Sequence, residues 1–322
     1  MKIMNERIVF MGTASFSLEV LKMLLEENYN IVGVVTQPDR YVGRKKILTM
    51  SEVKQLAIAH DIPVIQPSRI KNDFDEVLAL KPDLIITAAY GQIVPKEILE
   101  APQLGCINVH ASLLPKLRGG APVHYAIING EDKTGVTIMY MAEKMDAGDI
   151  ISQEIVSIEE DDNTGILYDR LSHVGARLLS RTLPSILKGT NNRYAQDERY
   201  VTYAPIIKRE DERLDWNQPV KAIYNRVRGT VPWPVSYTVY HGTIVKIWGG
   251  KIHHCQNAII HHGHEANGTI IKLFKDAIGV KVMDGVYLIT ELQIAGKKRM
   301  TVKDYMNGQC MFETGEVFGE LL

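Results

Sequence analysis

The stretch RIVFMGTASFSLEVLKMLLEENYNIVGVVTQ, residues 7–37, decides the fold because strand and helix signals alternate within it. Residues 7–12 form a short apolar run that ends in glycine, and residues 30–37 form a second one. Between them, residues 16–27 repeat apolar side chains at helical spacing. This order predicts two neighbouring parallel strands joined by a crossover helix.

The same alternation continues toward the middle of the chain. Residues 51–60 have the pattern of a second helix, and residues 82–91 and 105–110 are further apolar strands. Near-continuous apolar strands are typical of a parallel sheet that helices cover on both faces. We therefore predict an α/β fold, a Rossmann-like doubly wound and mostly parallel sheet, with ligands bound beyond the carboxyl ends of the strands.

The second part of the chain has a different sequence pattern. Around residues 183–211 the periodic pattern gives way to polar, loop-like sequence, which indicates a linker. Residues 220–229 then have the pattern of one helix. Short β-rich runs follow, separated by the turn signals HG, NG and DG, and this spacing predicts a small all-β barrel or sandwich.

Composition narrows the class of protein. The chain has 322 residues, 45% hydrophobic and 23% charged, and its net charge of −1 provides no global field for nucleic acid. Its cysteines, Cys106, Cys255 and Cys310, are far apart, which argues against a disulfide scaffold and favours a cytoplasmic protein. No apolar run is long enough for a transmembrane helix, so no membrane partner is expected.

The strand at residues 105–110 places two polar side chains together. Because strand side chains alternate between faces, Asn108 and His110 share one face at the carboxyl end, opposite Ile107 and Val109. A structural reading remains open, in which His110 is a buried histidine with its hydrogen bonds satisfied and Asn108 begins a turn. The position at the ligand-binding edge of the sheet favours chemistry.

The loop that follows, SLLPKLRGGAP (112–122), has the composition of a ligand cradle. Pro115 stiffens it, and Gly119-Gly120 permits close approach of the backbone to a ligand. Arg118 supplies a cation. A purely structural loop is the alternative.

A carboxylate candidate lies further along, in MDAGDI (145–150), where Asp146 and Asp149 flank Ala147-Gly148. The structural reading is a β-turn in which aspartate bonds its own backbone. The functional reading brings Asp146 beside His110, where it orients the ring and stabilises its protonated form.

Two further signals are weak. FMGTASF (10–16) has a single glycine instead of the pattern G-x-G-x-x-G, so a nicotinamide-dependent oxidoreductase loses its main support. HHCQNAIIHHGHE (253–265) is rich in histidine, but its spacing is irregular. An exposed polar loop is therefore expected there, and no metal site.

The stretch NVHASLLPKLRGGAP (108–122) together with MDAGDI (145–150) resembles the 10-formyltetrahydrofolate-dependent formyltransferases. The resemblance implies a Rossmann-like catalytic domain over residues 1–189, a linker over 190–208 and an OB-like β-barrel over 209–322. It also implies that the chain is an enzyme with 10-formyltetrahydrofolate as co-substrate and without a metal.

The same resemblance implies roles for particular residues. Asn108, His110 and Asp146 are the implied catalytic residues. The implied folate-binding residues are Ser112, Leu113, Leu114, Pro115, Tyr90, Ile93 and Met141.

The acceptor is indicated by segments outside that motif. VVTQPDRYVGR (34–44), PWP (232–234) and AGKKRM (295–300) are similar to the branch of the family that formylates methionyl initiator tRNA for translation initiation. The implied tRNA-binding residues are Arg40, Arg44, Lys45, Lys46, Lys297, Lys298 and Arg299. From charge alone these side chains would be an ordinary solvated surface.

Two other functions stay open from the sequence. One is a formyltransferase that acts on a small amine such as a sugar nucleotide, and the basic loop argues against it. The other is a non-catalytic RNA-binding protein, which would have no need for Asn108, His110 and Asp146 together. The chain is expected to be a monomer.

Overall fold

The computed structural model describes residues 5–43, 46–253 and 264–319. Contacts divide the chain into two units, and the chain passes between them more than once. The first unit comprises Met1–Pro122, Lys133–Ser157 and Tyr168–Pro205. The second comprises Val123–Asp132, Ile158–Leu167 and Ile206–Leu322.

The first unit is built on a seven-stranded sheet with the strand order β5-β2-β1-β6-β7-β8-β9. The first nine strands of the chain are β1 (Ile8–Gly12), β2 (Ile31–Val35), β3 (Arg40–Val42), β4 (Ile47–Thr49), β5 (Val64–Ile65), β6 (Leu84–Ala88), β7 (Cys106–His110), β8 (Lys133–Tyr140) and β9 (Ile150–Ser157). Strands β5 to β7 in that order are parallel, and β8 and β9 continue the sheet antiparallel. The predicted mostly parallel sheet is confirmed.

The helices are α1 (Ser15–Glu26), α2 (Glu52–Ala59), α3 (Asp75–Ala79), α4 (Lys96–Leu99), α5 (Pro122–Ile128), α6 (Thr164–Leu187), α7 (Val220–Gly229) and α8 (Val302–Met306). Burial explains why the central strands are almost entirely apolar, since all five residues of β1 and of β6 are buried. On one face of the sheet Val109 of β7 packs against Gly175 of α6. None of the described helices has the length and hydropathy that a membrane span requires.

The strand order reverses between β1 and β6. From β1 the chain adds β2 and then β5 on one side of the sheet, and it then returns to add β6 and β7 on the other side of β1. In doubly wound sheets ligands bind beyond the carboxyl ends of the strands at such a point. There the carbonyl of Tyr90 accepts hydrogen bonds from Thr13 Oγ1 and Gln37 Nε2, both at 3.0 Å.

The second unit contains an antiparallel sheet of the order β10-β11-β14-β13-β12, with β15 paired to β14. Its strands are β10 (Tyr237–Tyr240), β11 (Thr243–Ile252), β12 (Ile270–Leu273), β13 (Ile278–Val282), β14 (Gly285–Ile294) and β15 (Met300–Thr301). Helix α7 packs on β11 and β14 around an apolar core that includes Trp216 and Tyr287. The small β-barrel domain that the sequence predicts is confirmed, in the form of this antiparallel sheet.

One expectation about the linker was wrong. Helix α6 continues to Leu187 with Pro184 inside it, although loop-like sequence was expected from residue 183 onward. Leu183 and Ile186 are buried, and this tertiary packing outweighs the unfavourable proline in the last turns of the helix.

Candidate active site

Strand β7 presents Asn108 and His110 on one face of the first unit's sheet, because side chains alternate along it. Asn108 lies beside Thr87 of the parallel strand β6, and His110 lies beside Thr137 of the antiparallel strand β8. The strand therefore holds both polar side chains at its carboxyl end, where the fold opens to ligands.

The Asn108 amide is oriented by its neighbour. Thr87 Oγ1 donates a hydrogen bond to Asn108 Oδ1 at 2.9 Å, so the amide oxygen is turned toward strand β6. Within the described residues no group accepts a hydrogen bond from Asn108 Nδ2. Its N–H groups are consequently available as donors to a ligand, and the largely buried strand fixes their position.

His110 is held between two protein groups in a nearly dry environment. Its Nε2 lies 3.1 Å from the carbonyl of Leu117, and because a carbonyl only accepts, Nε2 carries a proton there. Its Nδ1 lies 3.7 Å from Asp146 Oδ1, and the two side chains are only 6% and 14% exposed. A carboxylate at this distance and burial interacts strongly with a proton on Nδ1.

Asp146 reaches His110 through an unusual turn. Its backbone has φ of +50°, a conformation that non-glycine residues rarely adopt. Its Oδ2 accepts a hydrogen bond from the backbone N–H of Gly119 at 2.8 Å. Gly148 is required in the same turn, since a Cβ there would lie 1.9 Å from the carbonyl oxygen of Tyr140.

The SLLP segment is anchored from two strands. Thr137 Oγ1 donates to the carbonyl of Ser112 at 2.6 Å, and Gln153 Nε2 donates to the carbonyl of Leu114 at 2.9 Å. Ser112 and Leu114 are buried, whereas Leu113 and Pro115 are half-buried. The alternation leaves Leu113 and Pro115 partly accessible and uses the other two side chains inside the protein.

The remaining predicted folate-binding residues differ in exposure. Tyr90 is buried, burial raises the pKa of its phenol, and its hydroxyl has no hydrogen-bond partner among the described residues. Ile93 is 72% exposed. The sulfur of Met141 lies 3.2 Å from Thr87 Oγ1, which places Met141 beside Asn108.

Arg118 has a role different from the ligand-facing cation that its loop suggested. Its guanidinium is buried and bonds Gln196 Oε1 through Nε and Nη2, at 3.0 and 2.8 Å. Its Nη2 also donates to Glu198 at 2.9 Å. Gly119 likewise faces protein, since a Cβ there would lie 2.6 Å from the Ala204 carbonyl oxygen. The sequence pattern missed Gln196, a single glutamine in a polar segment.

The basic loop of the first unit is only partly described. Arg40 is exposed and donates to Gln37 Oε1, and Lys46 is exposed in the turn between β3 and β4. Arg44 and Lys45 lie outside the described residues.

In the second unit Lys297 and Lys298 are exposed. Arg299 instead makes two hydrogen bonds to the Glu291 carboxylate, at 2.6 and 2.7 Å, and lies over the Trp248 ring at 4.4 Å. The Glu291 bonds raise the pKa of Arg299. This cluster therefore consists of two exposed lysines and one arginine whose charge the Glu291 carboxylate compensates.

Metal-ligating side chains do not assemble in the described part of the chain, where no group of at least three His, Cys, Asp or Glu residues has a suitable arrangement. Most of the histidine-rich segment, residues 254–263, lies outside the described residues.

Comparison with known proteins identifies the family. The formyl transferase model matches residues 6–183, and the model for the formyl transferase C-terminal domain matches residues 206–310. A methionyl-tRNA formyltransferase from Bacillus subtilis (strain 168) is 53% identical over 316 residues, 97% of this chain and 98% of the relative. The chain belongs to the methionyl-tRNA formyltransferase family. A second methionyl-tRNA formyltransferase, from Bacillus thuringiensis (strain Al Hakam), is also 53% identical. The match covers 94% of this formyltransferase and 95% of the relative.

Solved structures confirm the formyltransferase fold. HypX from Aquifex aeolicus in complex with tetrahydrofolic acid matches with a TM-score of 0.65 and 18% identity over 94% of this chain and 47% of HypX. This formyltransferase thus spans about half the length of HypX. An N-formyltransferase from Helicobacter canadensis, in complex with folinic acid and dTDP-3-aminofucose, matches with a TM-score of 0.64 and 19% identity. The match covers 92% of this chain and the full length of the Helicobacter chain.

Proposed function

We propose that this chain transfers the formyl group of 10-formyltetrahydrofolate to the α-amino group of methionyl initiator tRNA, giving the formylated initiator for protein synthesis. The observation that carries the proposal is the convergence of Asn108, His110 and Asp146 at the carboxyl end of β7. The relatives named methionyl-tRNA formyltransferase support the same acceptor over nearly the full length.

Formyl transfer needs hydrogen-bond donors where negative charge develops. The folate supplies a formyl carbon to the attacking amine, and its N10 departs as an amine. Asn108 Nδ2 and, in the protonated ring, His110 Nδ1–H donate to the formyl oxygen as it gains negative charge, since Nε2–H is already bonded to the Leu117 carbonyl. Donors that are fixed before the reaction need no reorganisation, which is why each is worth on the order of 10²–10³ in rate.

Proton transfer falls to His110 and Asp146. The attacking amine loses a proton and the leaving nitrogen gains one, so a group that can hold a proton between the two events is needed. The Asp146 carboxylate orients the imidazole through Nδ1 and offsets its positive charge. The pair is almost dry, which strengthens this interaction.

The folate fits the apolar side chains that remain accessible beside this pair. Leu113 and Pro115 are half-buried, and Ile93 is exposed, so these side chains can contact a flat aromatic ring system. The unpartnered N–H groups of Asn108 supply a donor beside them. In this proposal Ser112 and Leu114 act by shaping the loop, and Tyr90 and Met141 contribute backbone.

Basic side chains hold the tRNA in this proposal. Arg40, Arg44, Lys45 and Lys46 contact the acceptor end in this proposal, and Lys297 and Lys298 contact the phosphate backbone. Arg299, whose charge Glu291 compensates, contributes less.

We expect the Lys297→Gln, Lys298→Gln double variant to bind initiator tRNA more weakly with a shallower salt dependence. Each lost phosphate contact reduces the slope of log K against log salt by about 0.7–0.9. Filter binding between low and moderate salt measures this slope, and Lys188→Gln, an exposed lysine at the end of α6, is the control. An unchanged slope would remove these lysines from the interface.

The function is tested by formylation of methionyl initiator tRNA with 10-formyltetrahydrofolate, with omission of the folate and elongator methionyl-tRNA as controls. Formylation of the initiator that depends on the folate is the expected result. Formylation of an amino-sugar nucleotide in place of the tRNA would reassign the acceptor. Binding of tRNA without any formylation would indicate a non-catalytic RNA-binding protein.

A further inference from the structure

Gln196 links the segment after α6 to the Asp146 turn, residues 144–148. Its Nε2 donates to the carbonyl of Asp146 and to that of Gly148, both at 2.8 Å. One amide group therefore uses both of its N–H donors to fix two backbone oxygens of the turn.

The same glutamine is itself anchored. Its Oε1 accepts two hydrogen bonds from the buried guanidinium of Arg118. Arg118 also bonds Glu198, and Lys144 of the turn donates to the other oxygen of Glu198 at 3.0 Å. These two cations lower the pKa of Glu198, with the Lys144 bond the larger cause. The turn is thus bonded at three points by Gln196 and Glu198, both of which Arg118 anchors.

The backbone of residues 202–204 holds this segment against the loop that follows His110. The N–H of Arg118 donates to the Thr202 carbonyl at 2.9 Å, and the Ala204 N–H donates to the Arg118 carbonyl at 2.7 Å. Thr202 Oγ1 also accepts from the Leu117 N–H at 2.9 Å. Leu117 is the residue whose carbonyl bonds the His110 ring, so one segment supports both partners of the His110–Asp146 pair.

The turn requires such support because its geometry is unfavourable by itself. Asp146 has a positive φ, which is unfavourable for a residue with a side chain and persists when neighbours over-determine it. The carboxylate must also stay close to His110 Nδ1 while its Oδ2 bonds Gly119. Small displacements of such a group reduce catalysis strongly.

We infer that Gln196 is a positioning residue for the formyl transfer, which sets the Asp146 carboxylate against His110 by holding the carbonyl oxygens of the turn. This inference rests on the proposed function. Arg118, which was expected to bind a ligand, is the buried anchor of Gln196.

The test compares two variants. Gln196→Glu keeps an oxygen toward Arg118 but lacks both N–H donors, and Gln196→Met keeps the volume without any hydrogen bond. Each is expected to lower kcat by about 10–100-fold, the size seen for partners that orient a reactive group, with KM for the folate changed by less than about threefold. Asp197→Asn is the matched control, since the bonds of Asp197 go to Arg199.

A double-mutant cycle separates positioning from general stability. In the Asp146→Asn background, Gln196→Glu is expected to have little further effect on kcat, because the carboxylate that it positions is already absent. Additive losses would overturn the inference, as would wild-type kcat in either single variant. Thermal unfolding verifies that each variant is folded. If Gln196→Glu does not fold, Gln196→Met takes its place in the cycle.

A spectroscopic measurement keeps this test independent of the acceptor. The ¹⁵N shifts of the His110 ring in Gln196→Glu are expected to move toward those of Asp146→Asn. Unchanged shifts would overturn the positioning role even if the wild-type protein formylates no tRNA. Absence of formylation by the wild-type protein, with the ring shifts as expected, would overturn the proposed function alone.

Discussion

Replacing Asp146 with asparagine is expected to lower kcat by on the order of 10³-fold while the protein stays folded. The amide oxygen of Asn can still accept the Gly119 N–H, so the turn is retained. Its NH₂ group then faces His110 Nδ1 and cannot stabilise a proton there, because both would be donors. The ring keeps its proton on Nε2, toward Leu117, and loses the carboxylate that faces a second proton on Nδ1.

Steady-state kinetics with methionyl initiator tRNA and saturating folate measure this effect. Asp149→Asn is a matched control three residues away, because the Asp149 side chain lies 3.5 Å from Arg193 and is 40% exposed. That variant should retain kcat. If Asp146→Asn is as active as the Asp149 control, Asp146 has no role in proton transfer.

Asn108→Ala is expected to reduce kcat by about 10²–10³-fold, the typical cost of one lost donor to a developing oxyanion. The variant removes Nδ2, while Thr87 retains the Ile107 carbonyl as an acceptor at 3.1 Å. Little stability should be lost, since the deleted side chain is only half-buried. The loss should lie in kcat, because the donor acts mainly when the oxygen is charged.

Asn191→Ala provides the comparison, because Asn191 is half-buried like Asn108 but its side chain accepts a hydrogen bond from the Tyr140 hydroxyl, at 3.2 Å. It should have wild-type kinetics. A decrease of less than about tenfold in Asn108→Ala would mean that the amide does not bind the developing charge.

Local patterns predicted much of the fold. The strands at 7–12 and 105–110 and the helix at 220–229 were expected within a residue or two of where they lie. Strand alternation also predicted that Asn108 and His110 share a face. These features depend on neighbours in sequence and on burial of apolar side chains, so they are readable from the chain alone.

Burial of charged or polar side chains was less predictable. Arg118 lies in a loop rich in glycine and proline, where an arginine is normally exposed. Its burial depends on Gln196 and Glu198, which are 78 and 80 residues away in the sequence. No short-range pattern encodes a partner at that separation.

By itself the sequence determined the strands and helices, the face that carries the two polar side chains and, through its resemblance, the formyl donor chemistry. The tertiary structure alone decided that Asp146 lies 3.7 Å from His110 and that Arg118 and Gln196 hold its turn in place. The physical reason is the separation in sequence over which each kind of interaction acts. Periodicity and alternation are set by backbone geometry over a few residues, whereas contacts between distant segments exist only after the chain has packed.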